Sequence, residues 1–149
     1  MLGLNRQTLA RLRDQIPGFV TVENASYIAP INNIGELLPA CILSPGPSEL
    51  MPGNADQIIG LEDQEWDVLV IVAYGHSEEE QGLTELNASR FMNAVYNALH
   101  GWKCTNGLQR QGFVYKGRYE PIYHLGWAIF PMSFSAMAVI GRDAEQTTT

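Results

Sequence analysis

Apolar residues recur at helical spacing in two stretches of the chain. The first stretch predicts a helix from Asn5, its N-cap, to Ile16, and Pro17-Gly18 ends it. The second predicts a longer helix that starts at Thr84 as the cap and stops at Gly101 or just beyond. Its buried stripe consists of Asn87, Phe91, Ala94, Val95, Ala98, Leu99 and Trp102. We expect this helix to stack on a sheet.

Alternating patterns predict the strands of that sheet. The clearest strand runs from Gln64 to Tyr74, where both alternating sets of side chains are apolar. Such a strand is central and covered on both sides, or it is covered on one side and buried by another subunit on the other. Further strands are predicted at residues 19–22, 37–43, 113–115 and 122–135, and Pro131 suits an edge or a bulge in the last of them.

The segment from Pro45 to Asn54 is rich in proline and glycine, which predicts a long loop or a projecting hairpin tip. Helices and strands do not alternate along the chain as they would in a parallel βαβ fold. Their order predicts an α+β fold, with a mainly antiparallel sheet and two helices packed on one face. We expect one domain over residues 1–140 and a flexible C-terminal tail over residues 141–149.

Charge narrows the classes of partner. The 149 residues include 46% hydrophobic and 17% charged residues, and the net charge is −7. So few charges indicate either a small exposed surface or a surface partly hidden against partners. Nine scattered basic residues argue against binding to duplex DNA or to an anionic membrane. The longest apolar run, Val68 to Tyr74, is too short to span a bilayer, and the N-terminus lacks the apolar region of a secretory signal.

Candidate catalytic groups all have structural explanations. His76 follows the best strand, His100 suits the C-terminus of the long helix, and His124 lies in a strand. Neither these residues nor Cys41 and Cys104 show a zinc spacing or a nucleophile motif. We therefore expect no cofactor, no metal and no enzymatic activity. An acidic run, Glu78-Glu79-Glu80, is interpreted as a solvated loop.

Three tyrosines recur at every fourth residue near the end of the chain. Even offsets in a strand would place Tyr115, Tyr119 and Tyr123 on one face. Cross-strand packing and an interface with another protein both explain such a face.

The order of elements resembles one protein family. The matching parts are the end of the first helix at Arg13-Asp14-Gln15-Ile16-Pro17-Gly18-Phe19, the strand Trp66 to Val72, the helix Phe91 to Trp102 and the strand Gly126 to Phe130. Together they resemble the tail terminator, or tail completion, proteins of long-tailed bacteriophages, especially the Mu-like prophage type. The resemblance covers residues 5–135.

The resemblance implies a structural virion protein that assembles as a hexameric ring. Such a ring caps the tail tube, ends its polymerisation and joins it to the head connector. The implied partners are other copies of the chain, the tail tube protein and the connector protein, with DNA only passing through the lumen and no membrane involved. The implied location is the head-proximal end of the tail, after synthesis in the host cytoplasm. Six subunits follow from the resemblance alone.

A closing ring needs two different contact surfaces on each subunit. Our candidate interface residues are Pro45, Glu49, Leu50, Met51, Tyr115, Tyr119 and Tyr123. We expect Glu78, Glu79 and Glu80 to face the channel, where they would repel DNA and let it slide. The alternatives are another neck or tail-tube subunit of the same particle, or a small-molecule-binding domain or enzyme that uses His76.

Overall fold

The computed structural model describes residues 2–28, 34–50, 60–75, 77–105 and 107–140. The helices are α1 (Leu2–Gln15), α2 (Ala25–Ile28) and α3 (Glu78–Leu99), with a 3-10 turn at Ile34–Leu37. The strands are β1 (Thr21–Asn24), β2 (Ala40–Leu50), β3 (Gly60–Ala73), β4 (Gln109–Arg118), β5 (Ile122–His124) and β6 (Trp127–Ile140). No helix in these ranges is long and apolar enough to cross a membrane.

The strands form one sheet in the order β1-β2-β3-β6-β4, and β5 pairs with the remaining length of β6. Only the pairing of β1 with β2 is parallel among these strands. The two long helices, α1 and α3, pack on the same face of this sheet, and their apolar stripes form the main core with the strands. The predicted α+β fold is therefore confirmed.

Helix α1 buries Leu4, Leu9 and Leu12 in the main core, and Ile16, the residue after the helix, is buried there as well. The prediction that Asn5 caps this helix was wrong, because the helix begins at Leu2 and Asn5 lies inside it. Pro17 and Gly18 follow the helix as predicted.

Helix α3 begins earlier than its apolar periodicity predicted. Ser77 is the N-cap: its hydroxyl accepts a hydrogen bond from the Glu80 amide, and the Glu80 carboxylate accepts one from the Ser77 amide. This reciprocal capping box fixes the helix start. The predictions of an acidic loop at Glu78 to Glu80 and of a cap at Thr84 were therefore wrong. The three glutamates form the first turn, where their charge suits the helix dipole, and Thr84 is buried inside the helix.

The predicted loop from Pro45 to Asn54 is strand as far as Leu50, and residues 51–54 lie outside the described residues. Strand β1 pairs only with residues 40–43 of β2, so the second half of β2 has β3 on one side and no described strand on the other. A register shift between Pro45 and Ser48 interrupts its pairing with β3. Prolines are tolerated there because an edge or a bulge requires fewer N–H donors.

Strand β6 runs without a break through Pro131. On one side it pairs with β3 along its whole length. On the other side β4 pairs as far as Met132 and β5 starts at Ile129, so Pro131 lies in the gap between two partner strands. The missing N–H of the proline falls where the ladder is already interrupted.

The two faces of the sheet are covered differently. Trp66 is buried on the helix side, where Phe113 meets it edge to face, and Trp102 stacks on Phe113 with an interplanar angle of 3°. Trp127, which was also predicted to enter the core, lies instead with Ile71 in a smaller cluster on the opposite face. Besides these two, that cluster contains Ala25, Ile34, Leu38, Ala40, Ile42, Leu69 and Ile129.

Candidate assembly surfaces

The three tyrosines do not share one face of the sheet. Tyr115 lies on the helix side, with its ring 5.5 Å from that of Tyr96 and 5.3 Å from that of Phe134. Tyr119 reaches the opposite side, where its hydroxyl donates a 2.7 Å hydrogen bond to Glu65. The expectation of a common face was therefore wrong.

Irregular pairing explains why the four-residue spacing fails. Strand β4 shifts register against β6 between Tyr115 and Gly117, and Gly117 has a φ of +123° that side chains rarely adopt. Tyr123 belongs to the separate strand β5, where its ring lies 5.0 Å from that of Tyr74. Alternation cannot be counted across a bulge and a strand break.

Strand β3 presents three carboxylates on the face away from the helices: Asp63, Glu65 and Asp67. We call these residues the acidic face. All three are half-buried, and they alternate with Gln64 and Trp66, which point into the main core side of the sheet. None forms an ion pair within the described ranges of the chain.

Hydrogen bonds hold the centre of the acidic face in place. The Glu65 carboxylate accepts from the Tyr119 hydroxyl at 2.7 Å and from the Ser133 hydroxyl at 3.1 Å. The bond to Glu65 raises the pKa of Tyr119. Burial, with a smaller contribution from the Glu65 charge, raises the pKa of Asp67. One oxygen of Asp67, Oδ1, is buried without a hydrogen-bond partner in the described structure.

Strand β4 lies at the edge of the sheet and carries three exposed cations: Arg110, Lys116 and Arg118. We call these residues the basic edge. No described carboxylate forms an ion pair with any of them. The acidic face and the basic edge were missed at the level of sequence, although the alternation of Asp63, Glu65 and Asp67 at odd positions was a readable signal.

The other candidate interface residues lie in β2. Pro45 is exposed and pairs with Trp66 at the start of the register shift. Glu49 and Leu50 pair with Asp63 and Glu62 of β3, whereas Met51 lies outside the described residues.

The histidines are separated from one another. His76 lies outside the described residues. The Nδ1 atom of His100 accepts a hydrogen bond from the Tyr115 amide at 3.1 Å, which links the end of α3 to β4. His124 stacks on Trp127 with ring centroids 4.0 Å apart. Within the described ranges, no group of three or more His, Cys, Asp or Glu residues could hold a metal ion.

Large apolar side chains are exposed around β5. Leu125, in the turn between β5 and β6, is 88% exposed, and Ile122 and Tyr123 are about half exposed. Exposed apolar side chains and charged surfaces of this kind suit contact with other proteins. The described residues contain no convergent set of catalytic groups.

Comparison with known families identifies the context of these surfaces. Residues 5–146 match the family described as phage tail terminator protein. The chain belongs to the phage tail terminator family. It is thus a structural protein of a phage tail and a component of the virion.

One solved structure shows a similar fold. A chain of a structure titled "Virion of native gene transfer agent (GTA) particle" aligns with a TM-score of 0.51 and 17% sequence identity, over 90% of each chain. No curated protein matches the sequence.

Proposed function

We propose that this tail terminator forms a hexameric ring, as the family resemblance implies, and that the ring caps the tail tube and ends its polymerisation. The ring also joins the tube to the head connector, at the head-proximal end of the tail. The observation that carries the proposal is the family match over residues 5–146, which leaves only the ends of the chain unmatched. The partners are other copies of the chain, the tube protein and the connector protein.

Tail length tests this function. The gene is deleted from the phage genome that carries it, and the lengths of the tails that form are measured by electron microscopy. The control supplies the wild-type gene in trans. We expect overlong tails without heads, restored to uniform length by complementation. Heads without tubes would instead identify another neck or tube subunit, and tails of normal length would contradict a role in termination.

The lumen of the ring is the second part of the proposal. Glu78, Glu79 and Glu80 are exposed in the first turn of α3, and we place them on the channel wall, where they repel passing DNA. A reconstruction of the assembled ring with this turn on the outer wall would contradict the placement.

Contact residues form the third part. Pro45, Tyr119 and Tyr123 are exposed, and we retain them as contacts between subunits or with the tube. Tyr115 is half-buried beside Tyr96 and Phe134, so its proposed contribution is to support the neighbouring surface. Glu49, Leu50 and Met51 keep their proposed contact role on the grounds of sequence.

A further inference from the structure

Two arginines of this chain bind groups within their own subunit, whereas the cations of the basic edge form no ion pair with a described carboxylate. Arg13 donates two hydrogen bonds to the Val22 carbonyl oxygen and pairs with Glu23 at 3.2 Å. Arg11 donates to the Ala98 carbonyl oxygen and lies 5.5 Å from the centre of the Trp102 ring. Those two arginines therefore stabilise the fold, which leaves the basic edge as the main group of cations within one strand.

No described helix covers the half of its side of the sheet that contains the acidic face. The smaller hydrophobic cluster covers the half around Leu69 and Ile71, and both long helices pack on the opposite side. The half that contains Asp63 and Asp67 has no described helix over it and no described cation paired with it.

We propose that the basic edge of one copy binds the acidic face of the next copy. This inference rests on the ring proposed above and names the two surfaces that close it. The surfaces differ from each other, as a head-to-tail contact requires. The guanidinium groups of Arg110 and Arg118 offer several N–H donors each, which suits a group of carboxylates.

Charge complementarity favours a second copy as the occupant. Each copy has a net charge of −7, so random approach of two copies is repulsive. Placing Lys116 and Arg118 of one copy against the carboxylates of its neighbour replaces that repulsion with attraction. The contact also uses up the cations of β4, so the surplus of negative charge remains on the surfaces that stay exposed.

Cross-linking can locate the contact because the chain contains only two lysines, Lys103 and Lys116. A carbodiimide joins a lysine amine to a neighbouring carboxylate. Equal amounts of nitrogen-15-labelled and unlabelled full-length protein are mixed before assembly, and the covalent dimer is digested and analysed by mass spectrometry. The assembly is the free protein where it associates in solution, and otherwise the protein bound at the ends of tail tubes.

We expect peptides that join Lys116 of one copy to the segment Asp63–Asp67 of the other, recognised by their mixed isotopic composition. Mixed peptides that join Lys116 only to other carboxylates would overturn the proposal. The same is true of an assembly whose Lys116 forms no link between copies.

Charge reversal supplies an independent test. The basic-edge variant carries Lys116→Glu and Arg118→Glu, and the acidic-face variant carries Asp63→Lys and Asp67→Lys. Glu65 is left intact because it holds Tyr119 and Ser133. We expect each variant alone to weaken self-association at least about tenfold, because charges of the same sign then meet. A mixture of the two variants should recover most of the association, because the reversed edge of one variant then meets the reversed face of the other.

Arg90→Glu is the matched control, since Arg90 is exposed on α3 and belongs to neither surface. Urea unfolding of each variant shows whether it is folded. A basic-edge variant that does not fold is replaced by the neutral pair Lys116→Gln and Arg118→Gln, and an acidic-face variant that does not fold is replaced by Asp63→Asn and Asp67→Asn. If both charge-reversal variants form rings as readily as the wild type, the proposed contact is overturned and the ring itself is not. Protein that stays monomeric even at the tube end would overturn both.

Discussion

Thr84 of α3 connects its helix to Ala73, the last residue of β3. The Thr84 hydroxyl lies 3.0 Å from the Ala73 carbonyl oxygen and 3.0 Å from the Glu80 carbonyl oxygen. It also accepts a hydrogen bond from the Gly75 amide. A residue that looked like a helix cap thus closes the connection between strand and helix from inside the helix.

Replacing Thr84 with valine tests this connection. Thr84→Val keeps the shape and removes the hydroxyl, so we expect the free energy of unfolding to fall by about 1–2 kcal/mol. Thr84→Ser is the control, because it keeps the hydroxyl and loses one methyl group. Urea unfolding followed by circular dichroism measures both, and a valine variant as stable as wild type would show that the hydrogen bonds contribute nothing net.

Two glycines should respond in opposite directions to alanine. A Cβ at Gly112 would lie 2.5 Å from the Gly101 carbonyl oxygen, where β4 passes the end of α3, so Gly112→Ala should destabilise the protein by about 1–3 kcal/mol. Gly82 lies inside α3 with nothing near its missing Cβ, so Gly82→Ala should stabilise by about 0.5–1 kcal/mol. Thermal unfolding of the pair measures both signs, and equal shifts would contradict the close approach at Gly112.

Asp67 makes stability depend on pH. Its folded pKa is raised by burial, so between the unfolded and folded pKa values the folded protein binds more protons than the unfolded chain. The contribution of Asp67 to the unfolding free energy therefore rises as pH falls through the folded pKa. We expect Asp67→Asn to be more stable than wild type at pH 7, by no more than about 1 kcal/mol because the group is partly solvated. The advantage should shrink towards pH 4.

Asp63→Asn is the control for that experiment, since it removes one charge from the same face of β3. Denaturant unfolding at several pH values compares the two variants with wild type. An Asp67→Asn variant that is less stable than wild type at pH 7 would contradict the assigned cost of burying this carboxylate.

The two cysteines should be inert in the folded protein. Both are free and buried, and burial raises the pKa of Cys41 and of Cys104 to about 12. Because the thiolate is the reactive form, we expect Ellman's reagent at pH 8 to react with neither on the timescale of minutes and with both in urea. Rapid reaction of the native protein would show that these thiols are accessible.

Sequence patterns predicted the parts of this fold that depend on long apolar periodicity. Strand β3, the body of α3 and the fold class were all predictable, because long apolar patterns mark the elements that form the core. The buried stripe of α3 was partly wrong, because Asn87 is exposed and Ala88 and Met92 are buried instead. The start of α3 was misplaced by several residues because Thr84 and Ser77 are both suitable caps. Only the reciprocal bonds between Ser77 and Glu80 decide between them.

Features that depend on neighbouring strands were not predictable from local sequence. Prolines in residues 45–50 indicate a loop in the sequence. They are compatible with a strand because this half of β2 is not paired with β1, which the sequence does not show. The spacing of the tyrosines was misleading because bulges in β4 depend on its pairing with β6. The acidic face can be predicted from the alternation of residues along one strand. Its position relative to the basic edge cannot be predicted without the order of the strands in the sheet.

Pro131 also restricts how the edge of the sheet can be assembled. If β4 moved along β6 by two residues towards the start of β6, its end would pass the proline, which has no N–H to donate, and a ladder bond would be lost. The proline therefore disfavours this misaligned pairing of β4 with β6 during folding. It thereby favours one position of Lys116 and Arg118 along β6, and the ring proposed above requires that position to be the same in every copy.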